Sequence, residues 1–153
     1  MHVVLVEPEI PQNTGNIART CVMTNSTLHL IGKLGFSLDD RYLRRAGLDY
    51  WPYLTYFHYN DLDSLYSFYG DKKFYYFTTR GERTYAEISY HSDDFLVFGK
   101  ETAGLPQKIV DACKDYCMRI PMAEGIPRSL NLSNSVALVL YEALRQQGFP
   151  NMK

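Results

Sequence analysis

The chain has 153 residues, 46% of them hydrophobic and 22% charged, a length that fits one domain with a single core. That composition excludes intrinsic disorder, collagen-like repeats and low-complexity sequence, because enough apolar surface is available to offset backbone entropy. Sixteen Lys and Arg against 17 Asp and Glu give a formal net charge of −1, so no global cationic field draws the chain to nucleic acid or an anionic membrane, and any polyanionic partner must be held by a local patch.

Short apolar runs alternate with helical stretches. Residues 3–6 (Val-Val-Leu-Val) read as a first strand, followed by a loop with Pro8 and Pro11 and then a helix over 15–24 released by the turn Asn13-Thr14-Gly15-Asn16, with Arg19 near its first turn. A strand at 28–31, a helix at 39–46, a strand at 54–57 and a helix at 62–69 follow, then strands at 74–77 and 95–98, a helix at 106–113, a strand at 118–120 and a closing helix at 133–147. Strand and helix in alternation specify an α/β fold with a mostly parallel sheet. The runs 3–6 and 95–98 are continuously apolar, as expected when helices cover both faces. The closing helix carries Val136, Ala137, Leu140, Ala143 and Leu144 on one stripe and Leu138, Val139 and Tyr141 elsewhere, so a second surface, from a loop or another subunit, has to cover it.

Cys21, Cys113 and Cys117 contain no C-x-x-C pair, which argues against a disulfide framework and a zinc knuckle and fits a reducing cytoplasm. The apolar runs at 3–6 and 136–141 are too short for a secretory h-region or a membrane span, so no targeting or anchoring segment is expected. His2, His29, His58 and His91 have no spacing that suggests a metal site and read as structural or surface residues. The tyrosine clusters at 50–59 and 66–76 suit half-buried strands and helix–sheet seams, with base stacking as the other reading.

In an open parallel sheet, ligands sit beyond the carboxyl ends of the strands. A dinucleotide G-x-G-x-x-G does not occur, Gly99 to Gly104 continues as Leu105-Pro106 where a phosphate loop needs Lys-Ser or Lys-Thr, and no G-x-S-x-G is present. Three loops stand out instead. The first, Glu7-Pro8-Glu9-Ile10-Pro11-Gln12-Asn13-Thr14-Gly15-Asn16, reads either as a capped helix start with a solvated arginine or as a backbone anion site. The second runs from Phe98 through Gly99-Lys100-Glu101-Thr102-Ala103-Gly104 to Pro106, its glycines permitting close backbone approach. The third, 120–135, is long, polar and ends at a helix N-terminus, a length that usually signals function.

All three loops, in this order, resemble the SPOUT superfamily of S-adenosylmethionine-dependent RNA methyltransferases, and the resemblance covers essentially the whole chain. More narrowly, Glu7-Pro8-Glu9-Ile10-Pro11 leading into Asn13-Thr14-Gly15-Asn16, the segment Leu43-Arg44-Arg45-Ala46-Gly47-Leu48-Asp49-Tyr50, and Ser129-Leu130-Asn131-Leu132-Ser133-Asn134 look like the minimal tRNA wobble-ribose 2′-O-methyltransferases.

What the resemblance implies is a single domain over 1–153 that forms a homodimer, with a deep C-terminal trefoil knot over roughly residues 74–150. General topology rules would discard the knot. It further implies a bent S-adenosylmethionine held by Thr78, Thr79, Gly99, Glu101, Ile120, Met122, Ser129, Leu130 and Ser133. Arg19 and Tyr141 are implied at the chemistry, and Asn16, Arg41, Arg44, Arg45 and Arg128 on the RNA. Arg41, Arg44 and Arg45 would share one helix face, although such a face is often merely solvated. The implied substrate is the ribose of wobble nucleotide 34, cytidine or modified uridine, in the anticodon loop of leucine tRNAs, with neither membrane nor metal involved. Other readings are a knotted 2′-O-methyltransferase for a different tRNA or rRNA site, and a non-catalytic α/β ligand-binding module in which Asp39 and Asp40 supply carboxylates.

Overall fold

The computed structural model describes residues 1–38 and 50–153. The expected helix at 39–46, with Asp39, Asp40, Arg41, Arg44 and Arg45, lies outside the described residues. Among the described residues, seven strands form one sheet: β1 (His2–Val6), β2 (Thr27–Ile31), β3 (Tyr56–Tyr59), β4 (Phe74–Phe77), β5 (Arg83–Thr84), β6 (Phe95–Phe98) and β7 (Cys117–Arg119). They lie in the order β3-β2-β1-β6-β4-β7-β5, and every pairing is parallel. The helices are α1 (Pro11–Met23), α2 (Leu62–Tyr69), α3 (Gln107–Ala112) and α4 (Leu132–Gln146).

Period-two geometry sends alternate side chains of the central strands to opposite faces. Val3, Leu5, Leu28, Leu30, Leu96, Phe98 and Met118 form one core with Ile17 and Ala18 of α1 and Val136, Val139, Leu140 and Ala143 of α4. Val4, Val6, Ile31, Phe95 and Val97 form the other with Leu62 and Leu65 of α2 and Val110 of α3. With both faces covered, a continuously apolar strand is the stable solution, and each fully buried Leu or Val contributes about 1.5 to 3 kcal/mol. No helix among the described residues is long and apolar enough to cross a membrane.

Several boundaries differ from the sequence reading for identifiable reasons. Helix α1 begins at Pro11, four residues before the expected 15–24. A proline at the first helical position lacks only an N–H that has no intrahelical partner there anyway. Asn13, Thr14 and Gly15 are therefore buried helical residues and not a turn, and Arg19 sits on the third turn. Strand β3 lies two residues beyond the expected 54–57, because Trp51–Tyr53 form a 3₁₀ turn that runs into Leu54. Strand β5, with Arg83 exposed and Thr84 half-buried, carries no apolar residue that could have marked it.

On α4, Val139 joins the core, whereas Leu138 and Tyr141 stay exposed at 37% and 43%. The connection between β4 and β6 closes over the end of this helix. Gln146 Nε2 donates to the Ile88 carbonyl (3.0 Å), the Tyr90 amide donates to Gln146 Oε1 (3.1 Å), and Ile88 and Tyr90 join the same core as α4. A Cβ on Gly81 would stand 2.4 Å from the Met118 carbonyl carbon, so the same connection also lies flat against β7.

Candidate active site

A cavity of about 620 Å³ opens at the carboxyl ends of β4, β6 and β7. Its walls come from the segments that follow those strands, joined by Ile10 and Asn13 from the segment after β1, and Thr78, Thr79, Gly99, Glu101, Ile120, Met122, Ser129, Leu130 and Arg128 all line it. Three segments separated by tens of residues thus meet where the parallel order β6-β4-β7 brings their strand ends together. Leu105 and Val110 supply buried apolar wall, while Met122, Ile126 and Leu130 expose apolar surface at the rim, in a stretch, 121–131, that is exposed throughout. The floor at Gly99 tolerates no side chain, since a Cβ there would stand 2.0 Å from the Gly104 carbonyl carbon.

The first and second loops are stapled together at the cavity edge. The Glu9 and Ile10 amides donate to Glu101 Oε2 and Oε1 (2.8 and 3.2 Å), and Asn13 Nδ2 donates to Oε1 (3.0 Å). Ile10 is the N-cap of α1 and has no side-chain cap of its own; the Glu101 carboxylate takes the Ile10 amide, and its charge sits at the positive end of the helix. Thr102 Oγ1 donates to Glu9 Oε2 (2.7 Å), and Lys100 Nζ pairs with Glu7 Oε2 (3.0 Å). The Glu7 and Glu9 carboxylates and the Lys100 ammonium therefore alternate with the Glu101 contacts along one seam. Glu7 itself has φ +50°, a conformation that costs a non-glycine residue of order 1 kcal/mol and persists only where its surroundings hold it.

Asn13, 6% exposed, extends this seam to the third loop: its Oδ1 accepts from Asn131 Nδ2 (3.0 Å). Asn131 Oδ1 in turn accepts from the Ser133 amide (2.8 Å) and Ser133 Oγ (2.6 Å), capping α4. Ser133 is consequently spent on the cap and does not line the cavity. The Glu101 carboxylate is likewise occupied by α1, so its place on the cavity wall comes with its side-chain oxygens already bound.

Arg19 and Tyr141 are not on this cavity wall. Arg19 is exposed, with its guanidinium carbon 5.2 Å from the centre of the Tyr50 ring. Tyr141 is on the exposed side of α4, and Asn16 is exposed on α1 with its carbonyl accepting from Thr20 Oγ1. Asn13, Arg80, Lys100, Leu105, Ile126 and Asn131 are cavity residues that the sequence reading did not assign. Asn13 and Asn131 stood inside its motifs, but a pairing across 118 positions leaves no trace in one sequence. Among the described residues, no group of three or more His, Cys, Asp or Glu side chains could hold a metal.

The SpoU rRNA methylase family model matches residues 1–141. The chain belongs to that family. The tRNA (cytidine(34)-2′-O)-methyltransferase of Escherichia coli K12 is 44% identical to this SpoU-family chain over 151 residues, which are 98% of this chain and 96% of the relative. A solved structure described as giving structural insights into the 2-OH methylation of C/U34 on tRNA has 40% identity and a TM-score of 0.89, covering 96% of this chain and 95% of its own. An AdoMet-bound rRNA methyltransferase from Sinorhizobium meliloti has 26% identity and a TM-score of 0.81, and there this chain covers only 55% of the other.

Proposed function

We propose that this SpoU-family chain transfers the methyl group of S-adenosylmethionine to the 2′-oxygen of the ribose of wobble nucleotide 34 in tRNA, with leucine tRNAs carrying C34 or modified U34 as substrates. The observation that carries this reading is the single cavity built from all three carboxyl-end loops in a chain whose tRNA-modifying relative matches it almost end to end.

The residues present fit the methyl donor. A volume of about 620 Å³ lies within the range of small-molecule sites. Ile120, Met122, Leu105 and Leu130 offer apolar walls for an adenine ring, and the bare backbone of Gly99 permits close approach. In this reading Thr78, Thr79, Ile120, Met122, Ser129 and Leu130 hold the donor, Gly99 contributes its backbone, and Glu101 and Ser133 act by fixing the loops through α1 and Asn131. When bound, S-adenosylmethionine supplies an activated methyl group. The protein then has to align the ribose oxygen with that group, exclude water and manage one proton.

Arg19 is the group assigned to the ribose. A guanidinium is always protonated in practice, so it acts as a hydrogen-bond donor to the developing alkoxide or the adjoining phosphate and not as a base. Since Arg19 lies off the cavity of its own chain, the reading requires a homodimer in which the arginine of one copy reaches the cavity of the other. The exposed Leu138 and Tyr141 of α4 and Met23 of α1 provide apolar surface for such an interface. Tyr141 would then fix the nucleotide or relay its proton. Asn16, Arg41, Arg44, Arg45 and Arg128 are assigned to the anticodon loop, whose splayed nucleotides expose the 2′-hydroxyl. The closure of the β4–β6 connection over α4 supports a C-terminal segment, about residues 74–150, threaded as a trefoil knot.

Incubation with methyl-labelled S-adenosylmethionine and total tRNA, followed by nucleoside mapping, tests the proposal. Label is expected on the ribose 2′-oxygen of nucleotide 34. Label on base atoms, or at another position, overturns it.

A further inference from the structure

The guanidinium of Arg19 projects from an exposed helix face, and a long exposed side chain there would ordinarily sample many rotamers. Its neighbour is unusual. Tyr50 is only 8% exposed although its ring faces this surface cation at 5.2 Å, within the range of a cation–π contact. Its hydroxyl donates to the Gly15 carbonyl at 3.1 Å. Gly15 is four residues before Arg19, so this is the carbonyl that the Arg19 amide faces in an α-helix. One residue thus touches α1 twice at the same turn, through a hydrogen bond to the backbone beneath Arg19 and through its ring against the Arg19 side chain. Burial in this seam pushes the Tyr50 phenol up, with the nearby guanidinium acting in the opposite direction, so the hydroxyl stays a neutral donor.

We infer that Tyr50 is a positioning residue for Arg19: the ring, held in place by its burial in the core, sets the guanidinium's direction. The inference rests on the role given to Arg19 above. Positioning matters because a donor aimed at developing charge acts only when held in place before the reaction, and because in a composite site the arginine must project across a subunit boundary without support from the cavity it serves. A cation–π contact uses no conventional hydrogen-bond acceptor, so that Arg19 can be held and still donate.

The test combines kinetics with a readout independent of turnover. In the arginine side-chain NMR spectrum of the full-length, substrate-free protein, the Arg19 Nε–H resonance should carry an upfield ring-current shift that Tyr50→Leu abolishes and Tyr50→Phe, which keeps the ring, preserves. In methyl transfer to tRNA, Tyr50→Leu should lower kcat about fivefold, the factor that a cation–π contact of this exposure corresponds to, while KM for S-adenosylmethionine stays constant. In an Arg19→Gln background the same substitution should change kcat less than twofold. An Arg19 resonance unmoved by Tyr50→Leu, or an equal kcat loss in both backgrounds, overturns the inference. If Tyr50→Leu does not fold, a Tyr50→Phe protein that has lost the upfield shift overturns it equally, and one that retains the shift supports it. A wild-type protein that methylates no tRNA defeats the functional reading instead, and the resonance still decides whether Tyr50 holds Arg19.

Discussion

At the carboxyl ends of the strands, polar side chains from distant segments are joined to one another: Glu101 takes two amides and the Asn13 side chain from the start of α1, and Asn13 passes the connection on to Asn131. Toward the amino ends a pair of histidines is instead enclosed by aromatic rings. His2 Nδ1 and His29 Nε2 are 2.9 Å apart, His2 stacks on Phe95 with centroids 4.2 Å apart, and His29 is surrounded by Phe57, Tyr59, Tyr69 and Phe95. His29 is fully buried, and its Nδ1 has no partner among the described residues. The first arrangement holds three loops in register around a cavity. The second fills a core with groups that have to remain neutral to stay there. Buried polarity thus serves a site at one end of the sheet and constrains stability at the other.

The largest effect expected from this contrast is at Gly99. An added methyl group meets the Gly104 backbone at 2.0 Å, and backbone cannot swing aside as a side-chain tip can. Gly99→Ala should cost at least about 3 kcal/mol in denaturant unfolding, the upper part of the usual overpacking range, and should weaken S-adenosylmethionine binding in calorimetry. A variant with unchanged midpoint and unchanged donor affinity would show that the loop relaxes freely and that the carboxyl end is less rigid than its hydrogen bonds imply.

The amino end should answer to pH. Burial lowers the His2 pKa to about 4 and that of His29 to about 3, the neighbouring imidazole adding to the effect at His29. Both values lie below the unfolded value near 6.5, so the unfolded chain takes up protons first as pH falls. Stability is therefore fullest above the unfolded value and declines as pH drops toward 4 and then 3, by about 3 kcal/mol for the His2 shift and about 5 kcal/mol for the larger one at His29. Asp94, whose pKa burial raises, works in the opposite direction, since it is protonated more readily when folded. His29→Phe separates the two, because it removes one imidazole and leaves Asp94 in place. Its unfolding free energy should depend less steeply on pH between 6.5 and 4 than that of the wild type, and an unchanged slope would assign the acid sensitivity elsewhere.

The same contrast explains what the sequence disclosed. Strands β1, β4 and β6 are legible because burial on both faces demands unbroken apolar runs, and the loops after β6 and β7 are legible because glycine, proline and polar residues follow such runs directly. The start of α1 was not, since Pro8-Glu9-Ile10-Pro11 reads as loop unless one knows that the Glu101 carboxylate, 92 positions beyond Glu9, meets the helix there. The histidine pair was hidden for a related reason. Spacing along the chain does not show it, because parallel pairing of β1 with β2 puts residues 27 positions apart into contact. The cavity's composition followed from family resemblance at individual positions, but the Asn13–Asn131 connection is a property of the folded chain alone.

The smallest effect is expected within the seam itself, at Lys100. Its ammonium pairs with Glu7 at 3.0 Å, and this pairing raises the lysine pKa, yet the side chains of the pair remain 31% and 44% exposed. Ion pairs that stay in contact with water add little net stability, because salt and side-chain entropy offset the Coulomb attraction. Lys100→Met should therefore leave the denaturation midpoint where it is, at low salt and at high salt alike, even though three neighbouring contacts run along the same seam. The Glu101 bonds, to the Glu9 and Ile10 amides just ahead of α1 and to the Asn13 side chain, carry the connection between the loops. A clear loss of stability in Lys100→Met, removed by salt, would transfer that role to the ion pair and make the carboxyl end of the sheet an electrostatic joint instead of a hydrogen-bonded one.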